Sequence, residues 1–248
     1  MTSNTFKKGA SLQLHIESLA YGGLGIARHQ NIVFFVKNAL PGQTVIGKII
    51  KKKKKYFECI VEKTIHQSGY TIEPKCLHFY NCGGCSFQNF NYKQQLIQKE
   101  IQIQDLFQKI GDMKKINITK IVPAKEIYHY RNKMDFTFSN KRWLLKNDSM
   151  KKPKDFALGL HISGRYDKIL DIDNCLIQDE YINDILNEIK TWAKKNNLSP
   201  YDLKRHSGFL RHVVFRKSNY MNNIMVNLVT TIYNKNIMLD FKKMIIKK

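Results

Sequence analysis

The chain has 248 residues, 43% hydrophobic and 25% charged, which suffices to bury a sizeable core and points to one or two domains. It has no apolar run of membrane-spanning length, and the opening MTSNTFKKGASLQLHIES has no apolar core of a secretory signal, so a cytoplasmic protein with reduced thiols is expected. Five cysteines, an odd number, fit poorly with a disulfide framework, and a net charge of +22 favours a polyanionic partner such as RNA or DNA. An AT-rich genome, which enriches lysine, asparagine and isoleucine, would give a similar balance without any such partner.

In chain order, residues 10 to 67 read as short strands broken by turn signals. SLQLHIESLA alternates. YGGLGIARHQNIVFFV carries a glycine turn, a hairpin tip at Arg28-His29-Gln30-Asn31 and a buried apolar run. NALPGQTV holds a Pro-Gly turn, and VIGKIIKKKKKYFECIVEK is two strands joined by a lysine tip. Five strands at this spacing suggest a small oligonucleotide-binding (OB-like) β-barrel. The motif GGLGIA lacks the third glycine of a dinucleotide loop and sits among strands, so it reads as a turn. Cys59 alternates with Phe57 and is expected inside the barrel as a small hydrophobe.

Residues 92 to 110 carry apolar side chains at mostly helical spacing, closed by Gly111. HYRNKMDFTFSNKRWLL alternates like strands, KNDSMKKPKD is a polar loop, and FALGLHISGRYDKILDIDNC reads as a hairpin around Ser163-Gly164 leading to Cys175. DEYINDILNEIKTWAKKNN places Ile182, Ile185, Leu186, Ile189 and Trp192 on one side of a helix. Strands are expected at 209 to 216 and 223 to 232, and a last helix ends in MIIKK, whose apolar residues need a partner.

The densest chemistry lies in CLHFYNCGGCSFQ. Cys76, Cys82 and Cys85 are spaced C-x5-C-x2-C, and Cys175 supplies a fourth thiol. Gly83 and Gly84 let the backbone fold tightly and leave amide N–H groups to point at sulfur. Four thiolates suit an iron–sulfur cluster; a structural zinc site more often pairs two short knuckles, of which only one is present; incidental thiols are the third possibility.

The stretch from Cys76 to Gln88 resembles the signature of the RNA (uracil-5-)-methyltransferases, in particular the 23S ribosomal RNA type that carries a 4Fe-4S cluster. AYGGLGIARHQNIVFFVKNALPGQTV is similar to the TRAM barrel of these enzymes. HYRNKMDFTFSNKRW, LGLHISGRYDKILDIDNCLIQ and SGFLRHVVFRKS are similar to their central domain. The resemblance implies a 4Fe-4S cluster on Cys76, Cys82, Cys85 and Cys175. It also implies S-adenosylmethionine-dependent formation of 5-methyluridine in ribosomal RNA, by a cysteine attacking uracil C6 so that C5 becomes nucleophilic. Family members place that cysteine, an acidic base and the S-adenosylmethionine site in a Rossmann-like domain. No cysteine follows Cys175 and no glycine-rich strand–loop–helix unit follows it either.

The expected fold is therefore α+β. Residues 1 to 67 form a TRAM-type barrel, residues 68 to 248 form a mixed central domain with the cluster loop, and the methyltransferase domain is absent. No catalytic or S-adenosylmethionine-binding residue is assigned. A separate methyltransferase half encoded by a split gene is one arrangement this implies. A non-catalytic RNA-binding module with a structural metal site is the alternative.

For RNA itself, Lys48 and the tip lysines Lys51, Lys53 and Lys55 would grip phosphates, unless they only solvate a hairpin. Arg131 and Lys133 lie in the family's RNA-facing region, and Arg211 and His212 resemble them. Each alone is an ordinary surface charge, and together they make a track. Phe79 and Tyr80 either stack on a base or, more commonly beside a metal centre, exclude solvent.

Overall fold

Why the chain forms two large cores and a small third one of Leu19, Leu40 and Phe90 follows from where its apolar segments fall. The computed structural model describes residues 6–113, 115–145, 148 and 153–246; most of the expected KNDSMKKPKD loop and the final Lys-Lys lie outside the described residues. The chain divides into two compact units, Met1–Pro74 with Ser86–Pro123, and Lys75–Cys85 with Ala124–Lys248. This differs from a single boundary at residue 67, because the cysteine loop 75–85 goes with the later residues while the helix after it goes with the barrel strands.

The first unit contains β1 (Ser11–His15), β2 (Ser18–Leu19), β3 (Gly25–His29), β4 (Ile32–Lys37), β5 (Thr44–Lys52), β6 (Tyr56–His66) and α1 (Tyr92–Lys109). The strands form one six-stranded sheet in the order β1-β5-β6-β4-β3-β2. Every neighbouring pair is antiparallel except β4 and β6, which run parallel with Phe34 beside Phe57. Period-two alternation sends Leu14, Ala27, Phe34, Val36, Val45, Ile49, Phe57 and Cys59 into one shared core. Phe34 and Phe57 stack there with ring centroids 5.2 Å apart. Each such aromatic contributes about 1.5–3 kcal/mol by leaving water.

The turns are those the residues favour. Gln30 and Asn31 both take positive φ, 50° and 61°, the pair a two-residue hairpin needs between β3 and β4. Gly23, at φ 94°, closes the glycine turn, and a Cβ there would sit 2.9 Å from the Phe87 ring. The motif GGLGIA is thus a packed turn.

Helix α1 starts at Asn91, whose side chain accepts the Lys93 N–H at 3.0 Å. Its glutamines dock it. Gln98 is buried and accepts the Leu19 N–H at 3.0 Å, Gln102 donates to the carbonyls of Leu19 and Ala20, and Gln95 donates to those of Phe87 and Phe90. The apolar side chains Ile97, Ile101, Ile103, Leu106 and Phe107 stay 38–41% exposed.

The second unit contains β7 (Lys133–Ser139), β8 (Ala157–His161), β9 (Ile169–Asp171), α2 (Glu180–Lys195), β10 (Leu210–Lys217), β11 (Ile224–Thr230) and α3 (Lys235–Ile246). Its sheet runs β11-β10-β7-β8-β9, antiparallel throughout. Met134, Phe136 and Phe138 of β7 and Val213 and Phe215 of β10 face one side and share a core with Ile182, Ile185, Leu186 and Ile189 of α2. Trp192 of α2 packs on Phe241 of α3 at 5.0 Å and donates its Nε1–H to Asp240 at 2.8 Å. Of the apolar residues in MIIKK, Met244 and Ile245 pack against this core together with Ile237, while Ile246 stays exposed. Gly159 in β8 is required by close approach, for a Cβ there would lie 2.0 Å from the Leu170 carbonyl oxygen. Among the described residues no helix is long and apolar enough to cross a membrane.

Candidate functional site

All four of the singled-out cysteines belong to the second unit. Residues 76–82 wind through tight turns, with the N–H of Phe79 donating to the Cys76 carbonyl at 3.1 Å and that of Cys82 to the His78 carbonyl at 2.8 Å. The loop is then clamped to the β8–β9 hairpin. Cys82 bridges to Ile162, and the Gly83 N–H donates to the His161 carbonyl at 3.0 Å. A Cβ on Gly83 would approach that same oxygen to 3.1 Å, so glycine permits the clamp. Only one of the two glycine amides turns to sulfur: the Gly84 N–H donates to Cys82 Sγ at 3.3 Å, while that of Gly83 is spent on the hairpin.

Cys175 arrives from the other side, between β9 and α2. Asn183 of α2 accepts the Cys175 N–H at 2.9 Å and donates to Asn174 at 2.9 Å, fixing this loop. Residues 129–131 pair alongside 176–178, with His129 N–H on the Leu176 carbonyl and Arg131 N–H on the Ile177 carbonyl.

The thiols respond to burial and to one another. Burial pushes Cys82 up to about 11, with Cys85, Cys175 and Cys76 adding repulsion. Cys76 and Cys175 are also raised, first by burial. Backbone N–H groups oppose this, from His78 and Phe79 at Cys76, from Gly84 at Cys82 and from Ile177 and Gln178 at Cys175. So the sequence-singled set is gathered in space, and three of its sulfurs receive N–H donors. Burial favours the protonated form of Cys76, Cys82 and Cys175, whose protons a soft cation would displace. The donor set is chemically suited to a soft-metal group. Among the described residues, however, no three His, Cys, Asp or Glu side chains converge as one bound metal ion would need. Cys59 lies apart in the first unit's core, 1% exposed, where burial pushes its thiol up to about 11.

Two aromatics beside the thiols escaped the sequence reading. Tyr128 and Tyr130 both have raised phenol pKa values, chiefly from burial, with thiols among the contributors: Cys76 and Cys85 for Tyr128, Cys85 and Cys175 for Tyr130. Their i, i+2 spacing puts them on one side of an extended segment, which was the available signal. Of the aromatics that were singled out, Phe79 is half-buried and Tyr80 is 70% exposed, their rings in edge contact at 5.2 Å.

The basic residues fall in both units. Lys48 pairs with Glu62 at 3.1 Å and Lys51 with Glu58 at 3.4 Å, both exposed pairs that solvent screens. Lys53 and Lys55 stand at the β5–β6 tip with no carboxylate partner among the described residues. In the second unit Lys133 pairs with Asp135, and Arg131 donates its Nε–H to the Lys133 carbonyl at 3.2 Å. Arg211 lies over the Tyr201 ring at 4.7 Å. His212 sits 3.2 Å from the Thr137 hydroxyl, and burial, then Arg211 and His161, hold its imidazole below its usual pKa.

Comparison with known proteins agrees with the barrel and widens the picture. Residues 6–60 match the TRAM domain. An uncharacterized RNA methyltransferase of Chlorobaculum tepidum is 36% identical over 207 residues, 82% of this chain and 43% of that protein. One from Bacteroides thetaiotaomicron is 34% identical over 231 residues, 92% of this chain and 50% of that protein. The chain therefore spans about half the length of the curated relatives it matches. Among solved structures, the tRNA (uracil-54, C5)-methyltransferase of Pyrococcus abyssi in complex with S-adenosyl-L-homocysteine is similar in fold, with a TM-score of 0.65 and 23% identity over 92% of this chain and 48% of that one.

The expected fold class is corrected by these matches. It held that the methyltransferase domain is absent, yet the chain aligns with RNA methyltransferases over 82–92% of its own length and shares the fold of a solved one. The lack of a glycine-rich loop and of a cysteine after Cys175 describes this span of sequence. The matched proteins are about twice as long as this span.

Proposed function

We propose that this protein serves S-adenosylmethionine-dependent methylation of uracil C5 in RNA, in the cytoplasm, with ribosomal RNA as substrate. In this reading the TRAM barrel and its lysines Lys48, Lys51, Lys53 and Lys55 hold RNA phosphates. Arg131, Lys133, Arg211 and His212 extend the contact on the second unit. Cys76, Cys82, Cys85 and Cys175 hold a 4Fe-4S cluster whose role is structural: it staples the 76–85 loop to the loop before α2. The carrying observation is the gathering of these four thiols, three of them beside backbone N–H donors, on a chain that also has a TRAM domain and relatives named RNA methyltransferases. S-adenosylmethionine supplies the methyl group, and no residue of this span is assigned to it.

The test is anaerobic purification with iron, sulfide and zinc assays, for the native chain and for Cys82→Ser. The expected result is a brown protein with about four iron per chain that Cys82→Ser loses together with stability. Stoichiometric zinc would favour the RNA-binding module with a structural metal instead. In the organism, removing the gene should erase one 5-methyluridine from 23S ribosomal RNA. An unchanged nucleoside profile there, with a transfer RNA site lost, would move the substrate; no loss anywhere would overturn the activity.

A further inference from the structure

The face of the second sheet turned away from α2 holds a concavity of about 700 Å³. That is the size of a site for a nucleotide-sized ligand, on the order of 300–1,000 Å³. Its floor is polar: Thr137 of β7 and His212 of β10 are register partners, with Oγ1 and Nδ1 3.2 Å apart. Burial, then Arg211 and His161, lower the His212 pKa and so favour the neutral ring, in which one nitrogen donates and the other accepts.

The walls combine flat rings with unspent positive charge. Tyr166 is 81% exposed at the rim, and Arg211 is laid over Tyr201. The carboxylates nearby are occupied. Asp167 takes two hydrogen bonds from Arg165, and Asp202 takes Asn140 at 2.7 Å and the backbone N–H groups of Lys204 and Arg205. Lys204 and Arg211 therefore keep their charge without a carboxylate partner among the described residues, while Lys168 shares the Asp167 carboxylate with Arg165 through charge alone. A second concavity of about 550 Å³ shares His161 and Tyr166 with the first and continues to Arg131 and to Gly83 and Gly84 of the cysteine loop. The two make one track with Tyr166 at its middle, in which the second concavity adds Arg131, its Arg165 being paired with Asp167 and its Asp135 with Lys133.

We infer that this track binds a single-stranded RNA segment, with one unpaired base stacked on Tyr166 in the larger concavity and phosphates on Lys168, Lys204 and Arg211. The inference rests on the RNA-binding part of the proposal above and adds the form of RNA and the place it is held. Paired RNA buries its base faces and offers phosphates alone, so an exposed ring at the rim has use only for an unstacked base. The polar floor then meets the base edge, and the cations follow the backbone.

A short single-stranded RNA carrying 2-aminopurine tests this on the full 248-residue chain, by fluorescence quenching and anisotropy. Tyr166→Ala should weaken binding about five- to a hundredfold and remove the quenching, while Tyr166→Phe keeps both. The side chain is exposed, so neither change threatens the fold. A variant of the barrel lysines, Lys53→Glu with Lys55→Glu, should weaken binding and flatten its salt dependence but leave the quenching of bound RNA intact. Native-like binding by Tyr166→Ala, with the barrel variant impaired, overturns the inference and leaves the RNA-binding reading standing. Equal displacement of RNA by inorganic polyphosphate from the native chain and from Tyr166→Ala also overturns it, because charge alone would then suffice. A native chain that binds no RNA overturns both.

Discussion

Helices α1 and α2 look alike in sequence and do opposite things. Both carry apolar residues at helical spacing, yet α2 buries Ile182, Ile185, Leu186, Ile189 and Trp192 against its sheet, while α1 buries only Gln98. In α2 even Lys190 is buried, its ammonium answered by Asp171 at 3.1 Å, Asp173 at 2.7 Å and the Ile172 carbonyl at 2.7 Å. In α1 a row of glutamines satisfies backbone groups of the glycine turn, and the isoleucines face outward. The lesson is that hydrophobic period marks a side that gains from cover, without saying whether the surrounding chain supplies it. Polar side chains dock a helix just as well when they meet backbone N–H and C=O groups that would otherwise be buried unpaired.

This contrast can be broken by truncation. Ile189→Ala in α2 should cost about 2–5 kcal/mol, whereas Leu106→Ala in α1 should stay within about 0.5 kcal/mol, both read from urea unfolding. Equal losses would mean that α1's apolar side is covered after all. Next in size, Gln98→Ala should cost about 1–3 kcal/mol, because it leaves the buried Leu19 N–H without an acceptor; hydrogen exchange at Leu19 should quicken with it. The smallest effect concerns how α2 begins. Asp179 caps that helix, accepting the Tyr181 N–H at 3.0 Å, and its pairing with Lys217 holds its carboxyl below the usual range. A depressed folded-state pKa gives stability that is present above the unfolded carboxylate pKa and lost as pH falls through the folded one. Asp179→Asn keeps a capping oxygen and removes the charge, so it should lower stability slightly at neutral pH and match the native chain in acid. A gap that stays constant across that range would remove the ion pair from the account.

Much of the local structure was readable from sequence because its causes are local. The alternation of Phe34 with Val36 and of Phe57 with Cys59, the Gln30-Asn31 hairpin and the Gly23 turn all depend on residues a few positions apart. The grouping of Cys76, Cys82 and Cys85 was readable too, since they stand within ten positions of one another. What stayed hidden depends on distant partners. Tyr130 sits by the thiols because residues 129–131 pair with 176–178, and the concave face exists because Thr137 meets His212 across two strands. The docking of α1 by its glutamines stayed hidden as well, since nothing near them in sequence names Leu19 as their partner.

The excursion of residues 75–85 out of the first unit and into the second also sets a clock. Three of the four thiols leave the ribosome with Cys85, and the fourth follows 90 residues later at Cys175. At about 5–20 residues per second, Cys76, Cys82 and Cys85 wait roughly 5–20 s in the cell with neither their fourth partner nor the β8–β9 hairpin that clamps them. During synthesis these are exposed thiols open to oxidants and stray metals, so the yield of correctly assembled protein should depend on how fast and how anaerobically it is made.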